Sequence, residues 1–144
     1  GPSFHYKGFD FSFFFQGIAK TSLFMSGLQP FGTMMENKNV QKFIADDRWS
    51  PENQNIFAEY PRLTIERSAN NSTTSTYWER NGAFLKLKNA EIGYTFKSMR
   101  LYLRGSNLLT FSKFKLWDPE QGGGNGLKYP TQRVFNIGFQ MTIK

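Results

Sequence analysis

Two arginines and a small set of loop residues are the side chains whose types could recognise a ligand. Arg100 and Arg104 lie on one face of an alternating segment, and a guanidinium binds carboxylates through paired hydrogen bonds. The other candidates lie in stretches without strand patterning: Trp49, Tyr60, Arg62, Trp78 and Trp117. Aromatic rings stack on sugar faces or anchor partners, but they also hold loops together. Both roles stay open here, as does pairing of the two arginines within a polar interior.

Catalytic chemistry has little support in the sequence. The acidic residues Asp46, Asp47, Glu52 and Glu59 share one stretch, but a glycosidase needs two carboxylates fixed across a cleft. The 144 residues include no cysteine, which excludes thiol nucleophiles and zinc fingers. The single histidine, His5, disfavours a histidine triad. We therefore predict that the chain is not an enzyme and binds no metal or cofactor.

A second acidic motif, Asp118-Pro119-Glu120, precedes a glycine-rich run. No Gly-Lys-Ser/Thr follows it, so it is not a phosphate-binding P-loop. Two carboxylates are too few for calcium, which takes about six to eight oxygen ligands. Because Asp-Pro and glycine-rich runs favour turns, the motif predicts a structural turn.

The net charge of +7 comes entirely from one part of the chain. Residues 1–83 carry 8 basic and 8 acidic side chains, whereas residues 84–144 carry 10 basic and 3 acidic ones. Nucleic-acid binding would require these cations to cluster on one exposed face with stacking aromatics. They are instead scattered over strands and turns, so we predict no nucleic-acid partner.

Four segments alternate between apolar and polar residues with period two, which predicts half-buried β-strands at about 9–17, 84–96, 99–111 and 131–143. Lys7-Gly8 and Lys97-Ser98 are predicted tight turns. Residues 18–83 and 112–130 form two long connections, with one short helical pattern from Asn39 to Asp46. The aromatic content of 17% also favours β structure.

Short turns at one end and long loops at the other are typical of outer-membrane β-barrels, whose apolar face points outward. Aromatic strand ends fit the interfacial girdles of such barrels. The same alternation also fits a soluble β-sandwich, whose apolar face packs inward. Four or five strands cannot close a membrane barrel, since the smallest have about 8. In a membrane, the chain would therefore be a piece of one.

Six motifs occur in order along nearly the whole chain. They are Tyr6-Lys7-Gly8-Phe9-Asp10 leading to Phe15-Gln16-Gly17; Arg48-Trp49-Ser50-Pro51-Glu52-Asn53 with Tyr60-Pro61-Arg62-Leu63; Phe84-Leu85-Lys86-Leu87-Lys88-Asn89 with Ile92-Gly93-Tyr94-Thr95; Leu101-Tyr102-Leu103-Arg104-Gly105-Ser106-Asn107-Leu108-Leu109-Thr110; Trp117-Asp118-Pro119-Glu120; and Tyr129-Pro130. In this order they resemble the C-terminal end of SusC/RagA-type TonB-dependent outer-membrane transporters.

The resemblance implies an all-β fold: an antiparallel transmembrane barrel of about 22 strands around an N-terminal plug. Residues 1–144 would be the C-terminal part of that one barrel domain, supplying its last four strands and, from Gly1 to Tyr6, the tail of a fifth. Loops 18–83 and 112–130 would be extracellular and the C-terminus periplasmic. The plug and the remaining strands would lie outside this chain.

The resemblance also implies function and partners. The transporter would reside in the outer membrane of a Gram-negative bacterium and import glycan or peptide fragments. A SusD-like surface lipoprotein would cover it, and TonB would power it through the N-terminal region. The alternative is a self-contained soluble β-sheet protein that binds glycan or protein through its long loops. The two hypotheses differ in whether the apolar strand faces meet lipid or pack against a second layer.

Overall fold

The structure is a computed structural model that describes residues 1–26, 40–65 and 68–143. Its strands, in chain order, are β1 (Ser3–Tyr6), β2 (Phe9–Ile18), β3 (Ser22–Phe24), β4 (Glu79–Asn81), β5 (Phe84–Phe96), β6 (Met99–Ser112) and β7 (Val134–Met141). Two short helices, α1 (Lys42–Asp46) and α2 (Ala69–Ser72), and 3₁₀ turns at Thr76–Trp78 and Pro119–Gln121 complete the described elements. None of the helices in these ranges has the length and apolarity needed to cross a membrane.

The chain divides into two compact units. The first comprises Gly1–Thr21, Asn81–Glu120 and Tyr129–Lys144, and it contains an antiparallel sheet in the order β1-β2-β5-β6-β7. The second comprises Ser22–Arg80 and Gln121–Lys128, and it contains both helices. Strands β3 and β4 form a separate two-stranded sheet. The predicted long connection 18–83 therefore has secondary structure of its own, and α1 begins later than predicted; Asn39 lies outside the described residues.

All four predicted strands are confirmed, with changes at three of them. The strand 84–96 is as predicted, while 9–17 and 99–111 each extend by one residue, to Ile18 and Ser112. The strand predicted at 131–143 is shorter, Val134–Met141, so the preceding loop extends to residue 133. The ladder with β6 ends at Ser106 because Asn107 adopts a left-handed φ of 54°. The Asn107 side-chain amide donates to the Gln132 carbonyl at 2.9 Å instead.

The predicted fifth strand tail is strand β1, which pairs with β2 through the Lys7-Gly8 turn. Both turn residues have positive φ, 47° and 85°, as a type I′ hairpin requires. In the described part of the chain, the sheet does not close on itself, since β1 and β7 each pair with one neighbour only. The sheet is therefore an open segment.

A β-bulge in β5 changes which of its residues face each side. Phe14 pairs with Asn89 but Phe15 pairs with Leu87, so Lys88 is an extra residue in the ladder. Before the bulge, Phe84 and Lys86 are buried; after it, the polar positions are odd-numbered, beginning with Asn89. A one-residue insertion reverses the face of every residue beyond it. This places Lys86 on the polar side of the sheet.

The apolar face of the sheet is organised in cross-strand rows. One row is Phe11–Ile92–Leu103–Ile137 and the next is Phe9–Tyr94–Leu101–Phe139. These side chains are exposed, with 80% of Ile137 and 63% of Phe139 accessible, and no second layer among the described residues covers them. A sandwich would bury this face, so the soluble-sandwich interpretation is wrong. A contiguous apolar surface that extends across four strands marks a membrane or protein interface.

Tyr102 on the polar face lies across a glycine of the neighbouring strand. Tyr102 pairs with Gly138, and a Cβ added to Gly138 would lie 2.1 Å from the tyrosine Cζ. We expect Gly138→Ala to destabilise the folded protein by about 1–3 kcal/mol, because the ring must leave its rotamer. Urea unfolding of the refolded full-length protein measures this. Adding Tyr102→Ala should restore part of the loss; an unchanged Gly138→Ala midpoint would contradict the packing.

Candidate functional site

A cavity within the second unit brings together three of the predicted loop residues. Trp49, Tyr60 and Trp78 line it, and its volume is about 440 Å³, within the range of about 300–1,000 Å³ typical of small-molecule sites. The other lining residues are Asn55, Ile56, Ala58, Pro61, Asn70, Asn71, Thr73, Ser75 and Tyr77. Aromatic rings and uncharged polar side chains thus dominate the lining.

Backbone hydrogen bonds fix the first wall of the cavity. The Trp49 amide donates to the Tyr60 carbonyl at 3.0 Å, and the Tyr60 amide donates to the Asp47 carbonyl at 3.1 Å. The Tyr60 ring is buried and meets Phe43 of helix α1 edge-on, with ring centroids 5.9 Å apart. The position of Trp49 is therefore set by a two-stranded contact between distant parts of the loop.

The second wall is formed by the polar segment at residues 68–78. Ser68 caps helix α2 by accepting from the Asn71 amide, and the buried Trp78 indole donates to the Asn71 carbonyl at 3.0 Å. Tyr77 packs edge-on against Trp78 at 4.8 Å and donates its hydroxyl to the Glu59 carbonyl. The polar tips of both rings are thus already hydrogen-bonded to backbone.

The titratable groups in and beside the cavity are neutral or paired. Burial raises the pKa of both the Tyr60 and Tyr77 phenols, which keeps them neutral. The neighbouring Arg80 guanidinium is paired with the Glu59 carboxylate at 3.2 Å. None of the lining residues that the structure describes carries a charge.

Arg62 and Trp117 are not part of this cavity. Arg62 is exposed on the second unit, and Trp117 is half-buried in the first, where it packs edge-on against Phe114 at 4.6 Å. The sequence therefore grouped five loop residues, of which the structure brings three together. The three residues that line the cavity lie up to 29 positions apart in the loop. This spacing has no periodicity from which their proximity could have been predicted.

Arg100 forms an ion-pair cluster on the polar face of the sheet. Its Nη2 lies 2.7 Å from Glu91 Oε1, and its Nε lies 3.1 Å from Asp10 Oδ2. Gly93 belongs to β5, which lies between the strands of Asp10 (β2) and Arg100 (β6). A Cβ added to Gly93 would lie 2.6 Å from both Arg100 Nη2 and Asp10 Oδ2. The glycine therefore leaves the space that the pair occupies. Of the two roles considered for Arg100, the structure shows pairing with Glu91.

Arg104 differs from Arg100. It lies directly opposite Glu91 in β5 and Asn136 in β7, yet it is exposed. Within the described part of the chain it has no ion-pair partner, because the Glu91 carboxylate is turned toward Arg100. Its guanidinium is available to a group outside these residues.

The structure also contains a buried lysine whose role was missed in the sequence. Lys86 is 1% exposed, and its Nζ lies 2.6 Å from Asp118 Oδ2 and 2.7 Å from Glu120 Oε2. Lys88 adds a contact to Glu120 at 2.9 Å. The Asp118–Glu120 motif forms the predicted turn, but its carboxylates also tie residues 113–120 to strand β5. We name these four side chains the lysine latch. A lysine within the apolar run Phe84–Leu87 was the available signal.

The latch makes the loop sensitive to acid. Hydrogen bonds from Lys86 and Lys88 lower the pKa of the Glu120 carboxyl. At Asp118 burial acts to raise the pKa, but the hydrogen bonds from Lys86, the Glu120 amide and Thr131, together with the Lys86 charge, outweigh it and the pKa is lowered. A carboxyl whose pKa is lower in the folded state than in the unfolded state, where it is about 4, stabilises the fold at pH values above about 4. This stabilisation is lost as the pH falls through the folded-state pKa. We expect amide exchange in residues 113–120, corrected for intrinsic rates, to rise below about pH 4. Glu120→Gln should flatten this profile; an unaltered profile would contradict the latch.

No protein-family model matches the chain. The TonB-dependent receptor P26 of Formosa agariphila is 30% identical over 165 residues, covering 96% of this chain and 16% of that protein. SusC, a TonB-dependent receptor of Bacteroides thetaiotaomicron, is 26% identical and covers 94% of this chain and 14% of that protein. The chain belongs to the TonB-dependent receptors of the SusC/RagA type. It spans only 14–16% of the length of these relatives.

Solved structures agree with the fold of this TonB-dependent receptor segment. The RagAB peptide importer in its closed-closed state superposes with a TM-score of 0.73 at 24% identity, covering 94% of this chain and 16% of that one. The open-open state gives 0.66 at 22% identity. The five-stranded sheet is thus a section of an outer-membrane barrel wall. In such barrels the apolar face meets lipid and the polar face lines the lumen.

Proposed function

We propose that this chain forms part of the wall and the extracellular loops of an outer-membrane importer for glycan or peptide fragments. The observation that carries the proposal is the two-sided sheet, with an exposed apolar face and an ion-paired polar face. Its relatives are named as TonB-dependent receptors, and its structural neighbours as a peptide importer. Both names support uptake across the outer membrane as the activity of the whole protein.

We further propose that residues 1–144 are the C-terminal part of the barrel domain. In this arrangement β2 and β6 run outward and β5 and β7 run inward. The two long loops are extracellular, and the tight turns Lys7-Gly8 and Lys97-Ser98 face the periplasm. The asymmetry between these short turns and the long loops supports the orientation, because outer-membrane barrels have short periplasmic turns.

The proposed partners follow from the same family. A SusD-like surface lipoprotein would cover the extracellular mouth, and TonB would act through an N-terminal region outside this chain. The plug would face the lumenal side of the sheet, where Arg104 offers a cation that has no ion-pair partner among the described residues. Lipid would contact the apolar rows.

The test uses the source organism and an antibody raised against residues 18–83. We expect an outer-membrane band far heavier than the 16.7 kDa of this chain, and uptake of glycan or peptide fragments that is lost on deleting the gene or TonB. A soluble band near 16.7 kDa would contradict the proposal. Co-purification of a surface lipoprotein with the heavy band tests the lid separately.

A further inference from the structure

The cavity in the second unit combines aromatic walls with unused hydrogen-bonding groups. Asn70 and Ser75 have no side-chain hydrogen-bond partner within the described residues, and both line the cavity. The Asn55 side-chain oxygen accepts from the Phe57 amide at 2.9 Å, which leaves its NH₂ group free to donate. The cavity therefore presents both donors and acceptors.

The aromatic surface open to a ligand is that of Tyr77, which is 44% exposed, and of Trp49, because Tyr60 and Trp78 are buried. The Trp78 indole and the Tyr77 hydroxyl already donate to backbone carbonyls, so they have no proton to offer a ligand. Trp49 is half-buried and borders the same cavity. A matching ligand therefore needs an apolar surface to lie against rings and hydroxyl-like groups to meet amides.

We propose that this cavity is a binding site for an uncharged sugar ring. The C–H face of a pyranose supplies the apolar surface, and its hydroxyls both donate and accept. The inference rests on the proposed function, in which the second unit is extracellular and is exposed to glycan. It deepens that function by favouring neutral glycan at this site over peptide or acidic glycan.

Charged ligands fit the cavity poorly. A carboxylate, a sulfate or a charged peptide terminus would lose water there without gaining a counter-ion, since none of the described residues that line the cavity is charged. The nearby Arg80 is already paired with Glu59. A purely apolar ligand would leave the amides of Asn55 and Asn70 without partners, which also carries a desolvation cost.

The test is binding of the purified full-length transporter, in detergent, to a printed array of neutral, uronic-acid and sulfated oligosaccharides and tripeptides. We expect neutral glycans to be bound. For the best of them in solution, Asn70→Ala should weaken binding about 3- to 10-fold, the effect of one neutral hydrogen bond, and Trp49→Ala by more. The matched control is Gln54→Ala, an exposed amide of the same loop outside the cavity. Asn70→Lys should shift binding toward uronic-acid glycans.

Binding only of charged glycans or peptides, no binding to any spot, or unchanged affinity in both Asn70→Ala and Trp49→Ala would overturn the inference. Loss of binding in Gln54→Ala equal to that in Asn70→Ala would also overturn it, because the effect would then be general to the loop. Failure of the proposed function is distinguishable, since it would remove the protein from the outer membrane or abolish its import role. A transporter that imports normally but ignores these substitutions contradicts only the cavity assignment.

Discussion

Ile137→Arg is expected to destabilise the inserted barrel by about 2–4 kcal/mol, the cost of an arginine on the lipid face at the membrane midplane. Ile137 lies in the middle of β7 and is 80% exposed, in register with Leu103 on the apolar face. The arginine cannot reach the polar face, because side chains of a strand alternate between faces. Membrane levels of the heat-modifiable, folded transporter should fall accordingly.

The matched control is Ser12→Arg. Ser12 lies on the polar face of β2, directly opposite Glu91, so an arginine there gains a nearby carboxylate and meets no lipid. Its folded level should match that of the unaltered transporter. If Ile137→Arg inserted as well as Ser12→Arg, the assignment of the Ile137 face to lipid would be contradicted.

Removing the acids of the lysine latch is expected to cost more than removing its lysine. In the Asp118→Asn/Glu120→Gln double variant, Lys86 keeps its charge at a site that is 1% exposed. Leaving a buried charge without a partner costs about 3–5 kcal/mol. In Lys86→Met the lysine is replaced by an apolar side chain of similar length, and the partly exposed acids retain water, with Glu120 still bound to Lys88.

Thermal unfolding and limited proteolysis of the purified transporter measure this asymmetry. The double variant should release residues 113–120 to protease and lower the melting temperature, whereas Lys86→Met should change both less. Equal effects of the two variants would mean that the buried Lys86 charge carries no extra cost when its carboxylate partners are removed, contrary to the prediction. A more damaging Lys86→Met would show that Lys86 is hydrated when the loop is closed, contrary to its burial.

The strands and their pairing could be predicted from sequence because their signals are local. Phe135, Ile137 and Phe139 alternate with polar residues at the period of a strand, and Lys7-Gly8 is a turn that two strands can share. The six ordered motifs then supplied the family. The predicted start of β7 was too early because the left-handed Asn107 on the neighbouring strand interrupts the ladder there, without any mark in β7 itself.

The functional clusters could not be predicted because they join residues far apart in the chain. Lys86 meets Asp118 and Glu120 across 32 and 34 positions, and the bulge at Lys88 decides which face the lysine occupies. The sequence identified Asp118-Pro119-Glu120 as a turn but not as an anchor. In the same way Trp49, Tyr60 and Trp78 were recognisable as candidates, but only tertiary structure separates them from Arg62 and Trp117.

The measurement that tests the central claim most directly is cysteine labelling of the full-length transporter in intact cells. This chain has no cysteine of its own, so a single introduced cysteine is the one thiol within it that can be labelled. Phe57→Cys places the thiol in the loop, at a site that is 87% exposed. Ser98→Cys places it in the β5–β6 turn. With a maleimide too large to pass porins, we predict labelling of Phe57→Cys on intact cells and of Ser98→Cys only after the outer membrane is opened. Labelling of both sites on intact cells, or of Ser98→Cys alone, would contradict a barrel wall with its long loops outside.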